Sequence, residues 1–146
     1  MALFDVRILE RHPYTTQTFT PLNSASEDQQ IANEPLYLVI VAPTLKGQTI
    51  AAAVKNPTTR IAESVTIIDP PDLSKVKAFV ARRGQAVTYG AGTWHAPMVV
   101  LGKRRVDFVV VQFANGVAEE DCQEVAFGEG VEVEVDSNEG NRLEKL

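Results

Sequence analysis

The sequence predicts an all-β fold, a small β-barrel of the jelly-roll type with one helix. Short apolar or alternating segments recur along the 146 residues, separated by turns that contain Gly, Pro or Asn. The segment LYLVIVA at 36–42 is apolar throughout and has the length of a strand, which indicates a strand buried on both faces. Many short strands with a single helix favour a barrel over an α/β sheet.

The first predicted strand is LFDVRIL at residues 3–9. Its alternation places Phe4, Val6 and Ile8 on one face and polar side chains on the other. Arg11 alternates away from the residue that follows it and is expected to face outward. After a proline bend, the segment YTTQTFTP has the Thr, Tyr and Phe content typical of a second strand.

The middle of the chain is less regular. The polar stretch 23–34 is predicted to be a loop, and residues 43–65 are predicted to be an inserted surface region. Within that region TIAAAV is compatible with a strand or with a short helix. The segment SVTII at 64–68 predicts a further strand.

One helix is predicted at about 71–83. Asp72 is an N-cap candidate, basic residues end the segment, and Gly84 terminates it. The helix prediction depends on an apolar stripe formed by Leu73, Val76, Phe79 and Val80.

The rest of the chain continues in strands: QAVTY, PMVVLG and VDFVVVQF. We therefore expect a domain over 1–127. The remainder, 128–146, is predicted to be an acidic C-terminal edge strand, VEVEV, followed by a disordered tail.

Composition narrows the possible partners and locations. Residues 119–146 contain ten acidic and two basic residues, a net charge of −8. Because the whole chain carries −5, the first 118 residues carry a net charge of +3. Without a strongly basic face, nucleic acid is not an expected partner. No apolar run has the length of a membrane span, and no signal peptide is evident, so a cytoplasmic location is expected. The single cysteine, Cys122, excludes an intrachain disulfide. We expect it to be a small buried residue near a strand end, with a catalytic thiol as the alternative.

The two histidines of the chain lie in the two most distinctive segments. His95 follows Trp94 directly after a Gly-x-Gly turn, in GQAVTYGAGTWHAPM, where the glycines suit a tight corner. His12 lies in LERHPYTTQ. We expect both histidines to line one site.

The spacing of these segments resembles the two sequence motifs of the cupin barrel. Glu10-x-His12-x4-Gln17 is similar to the first motif, with Glu10 and Gln17 as substitutions, and the segment ending at His95 is similar to the second. In cupins these four positions are metal ligands. The resemblance therefore implies that Glu10, His12, Gln17 and His95 converge, as a mixed oxygen and nitrogen set suited to a divalent ion such as Ni, Mn, Fe or Zn. Two ordinary hydrogen-bonded barrel histidines are the alternative.

Longer strings resemble the ureidoglycolate lyase family, in particular its fungal form. They are LERHPYTTQTFTPL, PDLSKVKAFVARRGQAVTYGAGTWHAPM, RVDFVVVQFANG and DCQEV, in this order. The resemblance implies a cupin-like fold, a homodimer, an associated divalent ion (nickel, or manganese) and cleavage of (S)-ureidoglycolate to glyoxylate and urea. It also implies a further segment before the ERHP string, which this sequence does not show, and a second histidine where Ala96 stands.

The chemistry needs groups of the predicted kinds. The hydroxyl of this substrate must lose a proton while the departing urea nitrogen gains one, which suits His12, His95 and Glu10. A metal would bind substrate oxygens and lower the pKa of the hydroxyl. Gln17, Tyr89, Trp94 and Arg105 are the substrate-binding candidates; Tyr89 is equally compatible with the core, and the basic turn containing Arg105 with a solvated surface.

Two other functions stay open at the level of sequence. One is a different metal-dependent cupin enzyme, such as a dioxygenase or isomerase. The other is a non-catalytic barrel that binds a small carboxylate or forms a subunit interface.

Overall fold

A computed structural model of the protein describes residues 2–22, 35–56, 58–101, 105–117 and 120–135. Within these ranges the chain forms antiparallel strands and one short 3₁₀ turn, Leu73–Lys75. The strands are β1 (Ala2–Arg11), β2 (Gln17–Pro21), β3 (Pro35–Ala42), β4 (Thr49–Lys55), β5 (Ala62–Ile68), β6 (Lys77–Arg82), β7 (Val87–Tyr89), β8 (Trp94–His95), β9 (Val99–Val100), β10 (Phe108–Gln112) and β11 (Gln123–Val135). The cupin-like, all-β fold predicted from the sequence is confirmed.

The strands form two main sheets and a hairpin. The larger sheet has the order β11-β1-β8-β3-β6, with β9 also paired to β3. The smaller sheet has the order β10-β2-β7, and β4 pairs with β5 alone. No helix in the described ranges is long and apolar enough to cross a membrane.

β3 lies at the centre of the core, as its uniformly apolar sequence predicts. Leu38 and Ile40 belong to one buried cluster, and Tyr37 and Val39 belong to another on the opposite face. The second cluster lies between the two sheets, where the rings of Tyr37 and Phe108 meet edge to face with centroids 5.2 Å apart.

The larger sheet curls around the first cluster. Its outer strands, β11 and β6, are at opposite edges of the sheet and nevertheless contact each other. Apolar side chains from β1, β3, β6, β8 and β11 fill the space that they enclose. This curvature gives the barrel-like shape.

The predicted helix at about 71–83 is wrong. Asp72 does act as an N-cap, accepting hydrogen bonds from the Ser74 amide at 3.1 Å and hydroxyl at 2.6 Å, but it caps only the 3₁₀ turn. The following residues form β6 and pair with β3, where Val80 is opposite Leu38 and Ala78 is opposite Ile40. The apolar residues of this segment therefore pack into the core with the alternation of a strand, and not as the stripe of a helix.

The predicted alternation of β1 is interrupted by an irregularity. The pairing with β11 shifts between Val6 and Ile8, because extra residues of β11 are inserted opposite them. As a result Val6 and Leu9 are buried, whereas Ile8 is 40% exposed. Arg11, expected to face outward, is also buried, on the same face as Leu9.

Residues 43–65, predicted to be an inserted surface region, contribute β4 and the start of β5. The hairpin is largely exposed, and TIAAAV is a strand rather than a helix. At the other end of the chain, β11 continues through residue 127 to Val135 and pairs with β1 at the edge of the sheet. The loop predicted at 23–34, the basic residues at 103 and 104, and the tail predicted after 135 lie outside the described residues.

We predict that Ile40→Ala lowers the free energy of unfolding by about 2–5 kcal/mol, because it removes apolar volume from a fully buried position. Ile50→Ala is the matched control, since Ile50 lies in the hairpin and is 44% exposed; it should cost roughly 0.5 kcal/mol. Urea denaturation measures both. Equal losses in the two variants would contradict a core centred on β3.

Candidate active site

The end of β1 and the two-residue strand β8 bring Glu10 and His95 together. They are paired across the two strands, so their side chains project from the same face of the larger sheet. His12 lies two residues after Glu10, so by strand alternation its side chain is expected on the same face. Its carbonyl accepts a hydrogen bond from the amide of Gly92 at 2.8 Å, which ties the glycine turn to the end of β1. Gly92 has a φ of 81°, a conformation that disfavours other residues.

The smaller sheet supplies the opposite side of the site. Gln17 begins β2 and is paired with Tyr89 of β7 on one side and with Gln112 of β10 on the other. The Gln17 amide donates to Gln112 Oε1 at 3.0 Å, which fixes its carbonyl oxygen toward the larger sheet.

These groups converge on the imidazole of His95. Its Nε2 atom lies 3.1 Å from Glu10 Oε1 and 3.0 Å from Gln17 Oε1. The Tyr89 ring stacks on the imidazole with centroids 3.9 Å apart and an angle of 11° between the planes. The His12 ring centroid is 5.6 Å away. The four residues predicted to converge therefore do so.

Hydrogen bonds to backbone carbonyls determine where the imidazole protons lie. His95 Nδ1 is 3.0 Å from the carbonyl oxygen of Thr93, and His12 Nδ1 is 2.7 Å from that of Asp121. Because a carbonyl oxygen only accepts, both Nδ1 atoms carry a proton. The Gln112 amide nitrogen is also 3.0 Å from His12 Nδ1, but two donors form no hydrogen bond, so this is a packing contact.

The two Nε2 atoms differ in their surroundings. His12 Nε2 is buried and has no hydrogen-bond partner within the described part of the chain. His95 Nε2 faces two acceptor oxygens. A doubly protonated imidazolium at His95 that donates to Glu10 and Gln17 would satisfy that arrangement, and so would a cation among these atoms.

Glu10 is the charged centre of the group. Its hydrogen bond with His95 lowers the pKa of Glu10, as do the charges of His95 and His12, and together these outweigh burial, which acts in the opposite direction. Ligand atoms of Glu10, His12 and His95 all lie within 4.8 Å of one another. An ionised carboxylate and two imidazoles at this separation can hold a metal ion or exchange a proton.

Cys122 lies on the other side of Glu10, close to Glu124. It is exposed rather than a core residue, contrary to the sequence-based interpretation. Loss of hydration, followed by the charges of Glu10, Glu124 and Asp121, raises the pKa of the thiol. Cys122 is therefore protonated at neutral pH and is not an activated nucleophile.

Two predicted substrate-binding residues are not part of the cluster. Trp94 precedes His95 in β8 and so faces the opposite side, where it is fully buried and donates from Nε1 to the Asp69 carbonyl at 3.0 Å. Arg105 is exposed and pairs with Asp107 at 2.7 Å. Tyr89, in contrast, does contact His95. Its buried hydroxyl has no partner in the described ranges, and burial raises the pKa of Tyr89, so the hydroxyl stays protonated.

Three residues that the sequence did not single out contribute to the site. Gln112 contacts both Gln17 and His12, whereas Thr93 and Asp121 act through their backbone carbonyls. The sequence gives a weak indication of Gln112, because it is a polar residue at the end of an apolar strand. It gives no indication of Thr93 or Asp121, because every residue has a backbone carbonyl.

The chain is similar to known proteins of one family. A family model described as Ureidoglycolate lyase matches residues 1–134. The chain belongs to the ureidoglycolate lyase family. Curated relatives named Ureidoglycolate lyase include those of Schizosaccharomyces pombe, 39% identical over 122 residues (84% of this chain and 49% of that protein), and of Saccharomyces cerevisiae, 36% identical over 129 residues (86% and 52%). That of Burkholderia mallei is 33% identical over 108 residues (74% and 43%). The chain spans about half the length of these relatives.

We predict that alkylation of Cys122 has a pH midpoint above that of an ordinary thiol, about 8.5, because loss of hydration and nearby carboxylates disfavour the thiolate. The rate of reaction with iodoacetamide as a function of pH measures this, and the single cysteine makes the signal unambiguous. In Glu124→Gln, which removes one negative charge, the midpoint should fall. A wild-type midpoint at or below 8.5 would show that the thiol is activated.

Proposed function

We propose that this member of the ureidoglycolate lyase family cleaves (S)-ureidoglycolate to glyoxylate and urea at the cluster of Glu10, His12, Gln17 and His95. The observation that supports this most strongly is the convergence of four polar side chains, with one unpartnered imidazole nitrogen, that of His12, among them. The family identity suggests the reaction, and the geometry suggests which atoms take part.

The reaction is an elimination that needs two proton transfers. The substrate carbon carries a hydroxyl, a carboxylate and the ureido nitrogen. When the hydroxyl proton is removed, the carbonyl of glyoxylate forms, the C–N bond breaks, and the departing nitrogen takes up a proton to give urea. No water is consumed and nothing is oxidised or reduced.

The two histidines are suited to opposite roles in these transfers. His12 Nε2 presents a lone pair in a buried position, so His12 is assigned as the base for the hydroxyl proton. His95 as an imidazolium can protonate the departing nitrogen, with Glu10 stabilising its charge. Gln17 and the Tyr89 hydroxyl offer polar contacts for the substrate. Different surroundings for two groups of the same type are a recurrent way to separate acid from base.

The same four side chains fit a divalent ion. A carboxylate, an amide oxygen and two imidazoles suit Ni²⁺ or Mn²⁺, and a cation would satisfy both His12 Nε2 and the oxygens that face His95 Nε2. When bound, the ion would supply Lewis-acid stabilisation to the substrate oxygens. His12 Nε2 cannot bind an ion and accept a proton at once, so the two assignments are experimentally separable.

A homodimer and a cytoplasmic location are further parts of this proposal. The exposed apolar strand β10 supports association, since consecutive residues Val109, Val110 and Val111 are each 44–52% exposed and Phe113 is 72% exposed. Within the described residues β10 is an edge strand of the smaller sheet.

A non-catalytic small-carboxylate-binding protein is the second candidate. A cavity of about 560 Å³ on the other face of β1 favours it, since its lining includes the buried cation Arg11 and the exposed Lys46. Asp69 and Glu120 also line this cavity and oppose an anion. Glyoxylate binding without turnover, weakened by Lys46→Gln, would identify this function in place of the lyase.

We predict that the chain releases urea and glyoxylate in equal amounts from racemic ureidoglycolate. His95→Gln should lower kcat/KM about 10²-fold or more, because it removes the proton donor and the centre of the cluster. Glu63→Gln, in the exposed hairpin, is the control and should stay within about twofold of wild type. Absence of both products from folded wild-type protein would refute the lyase assignment.

We predict that chelator treatment separates the two roles of His12. If an ion is held, dialysis against EDTA abolishes activity, and stoichiometric Ni²⁺ or Mn²⁺ restores it. In that case His12→Gln should lower the affinity for Ni²⁺ by at least about tenfold in titration calorimetry. Full activity of protein shown to be metal-free by mass spectrometry would instead support the acid–base assignment.

A further inference from the structure

Asp121 is a buried acidic residue that contacts both His12 and the segment that follows it. Only 6% of the residue is exposed. Its carboxylate accepts hydrogen bonds from the Tyr14 amide at 2.8 Å and from the Thr15 hydroxyl, both in the segment that follows His12. Burying an ionised carboxylate is costly unless hydrogen bonds replace the lost water. Here they do, and both come from one turn.

The backbone of the same residue contacts the imidazole itself. The Asp121 carbonyl oxygen accepts from His12 Nδ1 at 2.7 Å across 109 residues of chain. The side chain of Asp121 thus holds the turn after His12 while its main chain holds the ring of His12. Movement of Asp121 relative to the turn after His12 would break the contact between the Asp121 carbonyl and His12 Nδ1.

This contact decides what His12 can do. With the proton on Nδ1, the lone pair is on Nε2, the buried atom that has no partner among the described residues. With the proton on Nε2, a donor would face Glu10 and His95, and the atom could neither accept a substrate proton nor bind an ion.

We infer that Asp121 is a positioning residue: its carboxylate clamps the Tyr14–Thr15 turn so that its own carbonyl fixes His12 in the tautomer with the proton on Nδ1. It does not touch the reacting atoms. The structural part of this inference stands on its own geometry, whereas its effect on turnover rests on the lyase function proposed above.

The test is the protonation state of His12 in metal-free protein. ¹⁵N-histidine labelling gives few signals, because the chain contains two histidines, and His95→Gln assigns them. The ¹⁵N shift distinguishes a protonated ring nitrogen from one with a lone pair. In wild type, Nδ1 of His12 should be the protonated atom at neutral pH.

Asp121→Asn keeps the size of the side chain but leaves a single carboxamide oxygen for the two donors of the turn. We expect the two tautomers of His12 to mix, Ni²⁺ affinity to fall about 10- to 100-fold, and kcat to fall by a similar factor. Asp5→Asn, a carboxylate exposed at the other end of β1, is the matched control and should change none of these.

A second variant, Thr15→Val, removes only the hydroxyl and should shift the tautomers in the same direction by a smaller amount. It decides the question if Asp121→Asn does not fold. Wild-type ¹⁵N shifts in a folded variant would overturn the inference, even if its activity were lower. A shifted tautomer together with an inactive wild-type protein would support the positioning role and refute only the proposed reaction.

Discussion

The surroundings of one imidazole constrain the rest of the site. His95 has an acceptor oxygen at Nδ1, from Thr93, and two at Nε2, from Glu10 and Gln17. These oxygens come from the glycine turn, from the larger sheet and from the smaller sheet. The stacked ring of Tyr89 covers one face of the imidazole. His95 therefore joins the two sheets, and its orientation depends on the pairing register of each.

His12 has a contrasting environment. One nitrogen is tied to the Asp121 carbonyl, and the other is buried without a partner in the described ranges. An unpaired buried acceptor costs about 1–3 kcal/mol, a cost that a folded protein retains where the atom has a use. The asymmetry between the two histidines is therefore a stronger indication of function than the presence of either one.

The sequence predicted the site better than it predicted the elements around it. Glu10, His12, Gln17 and His95 converge as their resemblance to the cupin motifs implied. Strand alternation explains the misplacement of Trp94, which as the neighbour of His95 in a strand must face the other way. The helix at about 71–83 failed for a different reason. Val76 and Val80 fit both a helical stripe and a strand alternation, and only the pairing of β6 with β3 decides between them. Asp121 contacts the His12 ring through its backbone carbonyl, so that contact had no signature in residue type.

Electrostatics connects the fold to the question of the ion. The proposed substrate is an anion, and it must approach Glu10, whose lowered pKa keeps it charged at neutral pH. Two like charges in a partly buried site repel strongly, so a positive charge must accompany binding. Within the described part of the chain, the printed partners of the Glu10, His12, Gln17 and His95 side chains are not Lys or Arg, since Arg11 lies on the other face of β1 and Arg105 pairs with Asp107 at the surface. Within the described residues, an imidazolium at His95 is one source of that positive charge, and a divalent ion among the acceptor atoms would be another. Each of these would satisfy the hydrogen bonds of His95 and also admit an anionic substrate.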